Sequence, residues 1–92
     1  MSLKWPDKDP DEVLDYDIDW SARLDTGDTI SASLFSVAAG DVVVDSDSHQ
    51  NTETKVWLSG GTNSTVAAIL NPITTAAGRQ FDQTVRLRIR TR

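Results

Sequence analysis

The sequence predicts an all-β fold, an antiparallel β-sandwich of immunoglobulin or fibronectin type III style with about seven short strands. Three observations predict it. Apolar residues recur with a two-residue period in several segments, as strands with one buried face require. Gly- and Asp-rich turn signals divide the chain at intervals of roughly 10–14 residues, the spacing of short, hairpin-linked strands. No segment carries the 3.6-residue apolar period of a helix. Ninety-two residues fit one domain, with no room for a second.

Residues 1–12 read as an extended or loosely ordered N-terminal arm, and 13–92 as the single sandwich domain. Pro6 and Pro10, with charged residues between them, disfavour helix and central strand. Met1-Ser2-Leu3 resembles a remnant of expression cloning. The first strand is Val13–Trp20. Leu14, Tyr16, Ile18 and Trp20 share one parity, so Trp20 plugs the core while Asp15, Asp17 and Asp19 line the other face. Asp25-Thr26-Gly27-Asp28 is a turn with Gly27 at positive φ. Thr29–Val37 is the second strand, with Ile30, Ala32 and Leu34 on one face. Phe35 and Val37 reverse that phase, which predicts a bulge near Leu34–Phe35.

Ala38-Ala39-Gly40 turns the chain into a short strand, Asp41–Asp45, and Ser46–Asn51 reads as a polar loop. Thr52–Leu58 buries Thr54, Val56 and Leu58 and turns Glu53, Lys55 and Trp57 outward. Ser59-Gly60-Gly61-Thr62-Asn63 is a turn. Thr65–Leu70 is a short buried strand that Asn71-Pro72 interrupts and Ile73-Thr74-Thr75 resumes. Ala76-Ala77-Gly78-Arg79 is a hairpin turn into the final strand, Gln83–Arg90, where Arg86, Arg88 and Arg90 alternate with apolar residues.

The net charge of −5 conceals an asymmetry: residues 1–47 carry 12 acids against 3 bases, and 48–92 carry 2 acids against 6 bases. The acidic row at the start and the basic row at the end read as neighbours, either inside one molecule or across a contact between copies. Pairing within one sheet is the plainer reading, because opposite charges on adjacent strands stabilise sheets. Nucleic acid is not an expected partner, since an acidic chain repels phosphate and no aromatics interleave the arginines. The chain has no cysteine, so disulfides and thiolate metal sites are excluded. No apolar run approaches the ~20 residues of a membrane span, and the start lacks the apolar core of a signal peptide. No membrane association is expected.

Asp45-Ser46-Asp47-Ser48-His49 spaces oxygen ligands as calcium loops do, but it lacks the glycine and distal Glu of an EF-hand loop, and one His makes no zinc site. Asp7, Asp9, Asp11 and Glu12 form a second acidic cluster on the arm. Both read as solvated segments. His49 accompanies no strained nucleophile elbow, so a hydrolase built on Asp45–His49 is kept only for completeness. No catalytic residue, metal, cofactor or small-molecule ligand is expected. The candidates for contact are two aromatics read as exposed, Trp5 and Trp57, and the charged rows Asp15, Asp17, Asp19, Arg86, Arg88 and Arg90.

The run Lys8-Asp9-Pro10-Asp11-Glu12-Val13-Leu14-Asp15-Tyr16-Asp17-Ile18-Asp19-Trp20 resembles the opening of a family of small phage and prophage virion-associated structural proteins. Val44-Asp45-Ser46-Asp47, Val56-Trp57-Leu58-Ser59-Gly60-Gly61-Thr62, Asn71-Pro72-Ile73-Thr74-Thr75-Ala76-Ala77-Gly78-Arg79 and the final strand continue the likeness. The resemblance implies an immunoglobulin-like fold and a non-catalytic role in virion assembly, with other virion proteins or copies of the chain as partners. It places the protein in the virion, or in the host cytoplasm before assembly. A carbohydrate-binding or adhesive β-sandwich module is the alternative, and it requires accessible tryptophans on one face.

Overall fold

The computed structural model describes residues 3–91; Met1, Ser2 and Arg92 lie outside them. Within that range the two-residue alternation resolves into eight strands and no helix: β1 (Leu3–Lys4), β2 (Leu14–Asp19), β3 (Ile30–Ser33), β4 (Ser36–Ala39), β5 (Val42–His49), β6 (Glu53–Gly60), β7 (Thr65–Thr75) and β8 (Gln80–Ile89). They form a five-stranded sheet of order β1-β8-β7-β3, with β4 also on β7, and a three-stranded sheet of order β2-β6-β5. All pairings are antiparallel except β1 with β8. The all-β sandwich read from the sequence is the architecture found.

The inward parities meet in one core. Tyr16, Ile18, Val56 and Leu58 come from the smaller sheet, and Ala67, Ile69, Ile73, Val85, Leu87 and Ile89 from the larger. Trp20, 1 % exposed, plugs the end of this core as its parity predicts. Its indole N–H donates to Thr54 Oγ1 (3.1 Å) and Asn71 Oδ1 (3.2 Å), and Thr54 donates to the same Oδ1 at 2.7 Å. Asn71 Nδ2 donates in turn to Ser33 Oγ and the Leu34 carbonyl. A buried amide so fully engaged joins the sheets without leaving a polar atom unpaired.

Several sequence expectations are corrected. Asn71-Pro72 does not interrupt β7, which pairs with β8 from Thr65 to Thr74. The Pro72 carbonyl accepts from Leu34 N, so the ring nitrogen, lying on the same side, faces the gap between β3 and β4 and deprives no ladder of a donor. The single strand expected over Thr29–Val37 is two, split at Leu34–Phe35. The phase reversal there marked the break: Leu34 is 68 % exposed and Phe35 is buried. A further register shift between Ile30 and Ala32 takes Ala32 off the buried face. The polar loop expected at Ser46–Asn51 is strand up to His49, because β5 continues past a bulge at Asp45 to pair with β6.

The stretch before Val13 is extended but not loose. Trp5 N and Lys8 N donate to the Arg86 and Arg88 carbonyls, and Arg90 N donates to that of Lys8. This stretch therefore covers the free edge of β8, a position where an unpaired strand would invite association.

Candidate interaction surfaces

β2 takes β6 as its neighbour, in the register Asp15↔Trp57, Asp17↔Lys55 and Asp19↔Glu53. With Tyr16 and Ile18 turned inward, Asp15, Asp17 and Asp19 must stand on the outer face of the smaller sheet, where all three are exposed. Lys55 reaches Asp15 at 3.4 Å and Asp17 at 3.7 Å. The Asp15 hydrogen bond, followed by the charges of Asp17 and Asp15, raises the Lys55 pKa above 10.5. Asp19 accepts from Ser21 N at 2.9 Å, and that bond holds its carboxyl below its ordinary value. Trp57 is 41 % exposed, and Val13 and Val43, 56 % and 54 % exposed, stand at the same end of this face. In register, Trp57 lies between Asp15 and Ser46, and Ser59 faces Val43. The bulged Asp45 accepts from Ser59. The result is an apolar patch bordered by acids.

β8 buries Val85, Leu87 and Ile89, so Arg86, Arg88 and Arg90 are exposed on the outer face of the larger sheet. Lys4 pairs with Arg86 and extends the basic row. Ala68 and Val66 flank Arg86 and Arg88 from β7, and Val66 is 54 % exposed. Among the described residues no carboxylate forms an ion pair with these arginines.

The two charged rows are therefore not neighbours within the molecule. The sequence invited that pairing, but β2 and β8 belong to different sheets. The acidic row has its cation from β6, and both edges of β8 are taken, by β7 and by the N-terminal stretch. The rows face away from each other on opposite sides of the sandwich.

Trp5 is not an exposed aromatic either. It is 7 % exposed, its ring stacks on Tyr16 at 4.8 Å, and its indole N–H donates to the Asp17 carbonyl at 3.1 Å. It closes the seam between β8 and β2. An aromatic beside proline in a charged stretch gives no parity signal, so nothing local in the sequence marked it as buried.

Lys8 is another residue the sequence did not single out. It is fully buried, and its Nζ donates to the Gly60 carbonyl at 2.7 Å and the Asp9 carbonyl at 2.8 Å. Burial lowers its pKa below 10.5, opposed by the charges of Glu12, Asp9, Asp11 and Asp45. The acidic cluster on this stretch serves the turn: Asp9 N donates to Glu12 Oε1 and Asp11 N to Asp9 Oδ1. Neither acidic segment gathers three potential metal ligands among the described residues, and His49 stands exposed on a regular strand. No described helix is long and apolar enough to cross a membrane.

No curated protein matches the chain. The family model for podophage GP4 fiber-tail adaptor protein gp77 matches residues 8–88, starting at the same lysine as the run Lys8–Trp20, and the chain belongs to that family of phage structural proteins.

Proposed function

We propose that this protein works in the virion tail by contact alone, without catalysis, joining tail and fibre components as the name of its family describes. One observation carries the reading. The sandwich bears two outer faces of opposite character, one acidic around an exposed tryptophan and one basic, and neither is neutralised by the other. A component that links two different neighbours needs two chemically distinct surfaces, and charge complementarity gives each its specificity. Trp57, Asp15, Asp17 and Asp19 form the first surface; Arg86, Arg88 and Arg90 form the second. The protein is made in the host cytoplasm and ends in the particle. The carbohydrate-binding alternative loses its main support, because Trp5 and Trp20 are both buried and no other tryptophan among the described residues is exposed beside Trp57.

Phage carrying Trp57→Ala tests the reading. An exposed aromatic anchor contributes ~2 kcal/mol or more to an interface, so its loss should weaken partner binding roughly 30-fold. Purified particles should then lack fibres, counted by electron microscopy, while the isolated variant melts as the wild type does. Full fibre occupancy in both Trp57→Ala and Arg88→Glu particles would rule the reading out.

A further inference from the structure

We infer that the partner of each charged face is the opposite face of a second copy, so that copies stack head to tail. This rests on the contact reading above and names one of its partners. The charges match in sign and in pitch. Asp15, Asp17 and Asp19 stand two residues apart along β2, and Arg86, Arg88 and Arg90 stand two residues apart along β8 and its end. Both rows therefore repeat every ~6.7 Å, and three carboxylates can meet three guanidinium groups in one register. Arg86, Arg88 and Arg90 have no carboxylate partner within the described residues, which leaves their bidentate donors available.

Apolar residues accompany both rows: Trp57, Val13 and Val43 on one face, Val66 on the other. They supply the dry centre that a charged rim alone would not. The molecule measures 42 × 24 × 18 Å, so a face spanning its two longer dimensions exceeds the ~800 Å² per partner of a standard interface. The contact joins two different surfaces, which propagates as a ring or an open stack instead of closing as a dimer. A stack of this kind is polar. Its first and last copies leave one acidic, aromatic face and one basic face free for two different neighbours.

A charge-swap experiment tests the stack. Asp15→Lys with Asp19→Lys makes both faces basic while leaving Asp17 to hold Lys55. Arg86→Glu with Arg88→Glu abolishes the basic face, because the two new carboxylates offset Lys4 and Arg90. Light scattering should give the wild type a mass that grows with concentration at ~20 mM salt and falls toward 10.1 kDa at ~500 mM, where charges are screened within ~5 Å. Each double variant alone should stay at the single-chain mass, and an equimolar mixture of the two should exceed it, through the intact acidic face of one and the intact basic face of the other. Circular dichroism melts show whether each variant is folded, and the neutral pair Arg86→Gln with Arg88→Gln replaces one that is not; that pair should lose association too. A wild type of single-chain mass at every salt, folded variants that associate like the wild type, or a mixture that stays monomeric would each overturn the stack. A monomeric wild type whose Trp57→Ala particles still lose fibres would overturn the stack alone and leave the contact reading standing.

Discussion

Lys8 presents a single buried cation amid carbonyls and acids. Its ammonium satisfies the Gly60 and Asp9 carbonyls, yet desolvation lowers its pKa below 10.5 in spite of four nearby carboxylates. The sign of the resulting pH dependence follows from linkage. Above 10.5 the group is neutral whether the chain is folded or not. As pH falls below 10.5 the unfolded chain takes up the proton first, so folding loses stability until the folded pKa is passed, and the cost is constant below it. Stability of the wild type relative to Lys8→Met should therefore rise as pH climbs toward 10.5. Lys55 acts in the opposite sense and in another window, since its raised pKa contributes stability that is lost only above 10.5. Urea midpoints of the two proteins across that range give the slope. A flat or falling difference would mean that Lys8 is not held in a desolvated site.

Among the elements, those with regular alternation were legible and those shaped by tertiary partners were not. β2, β6 and β8 follow from parity alone, because period-2 burial fixes which residues face the core. Gly27 and Gly78 do adopt the positive φ that their turns require. β7 was misread as two pieces because a proline within a strand is permissible only when its nitrogen faces a gap, and that gap is made by β3 and β4, distant in sequence. The charged rows were each read correctly as exposed faces, but which sheet a strand joins is decided by its neighbours. The N-terminal stretch was read as an arm because its burial depends on a stack with Tyr16 and a lysine aimed at Gly60, 52 residues away. Trp5 makes the point quantitative. Replacing a buried tryptophan by alanine costs ~3–5 kcal/mol, a large part of the margin of a 92-residue domain. Trp5→Ala should lower the chemical-denaturation midpoint sharply and expose the β8 edge to association. A variant as stable as the wild type would show that the stretch is an arm after all.

At the scale of the whole molecule, the separation of the two rows reverses the expected response to salt. Had Asp15–Asp19 and Arg86–Arg90 paired within one sheet, screening would weaken attraction and lower stability. With the rows on opposite faces, Arg88 has like-charged neighbours in its own row, Arg86 and Arg90, each ~6.7 Å away along β8 and its end. Two unit charges at that separation in water repel by ~0.6 kcal/mol, and Arg88 has such a neighbour on each side. Arg88→Gln should therefore stabilise the monomer by ~0.5–1 kcal/mol at low ionic strength, and the gain should fade as salt reaches ~0.15 M, where the Debye length is ~8 Å. The Asp15–Lys55–Asp17 cluster contributes little in the opposite direction, since exposed pairs are worth ~1 kcal/mol at most. Guanidinium chloride is itself a salt, so urea denaturation in dilute protein is the measurement that resolves this. A loss of stability in Arg88→Gln at low salt would mean that the arginine row has found an acidic partner within its own chain, and the basic face would then not be free to bind anything else.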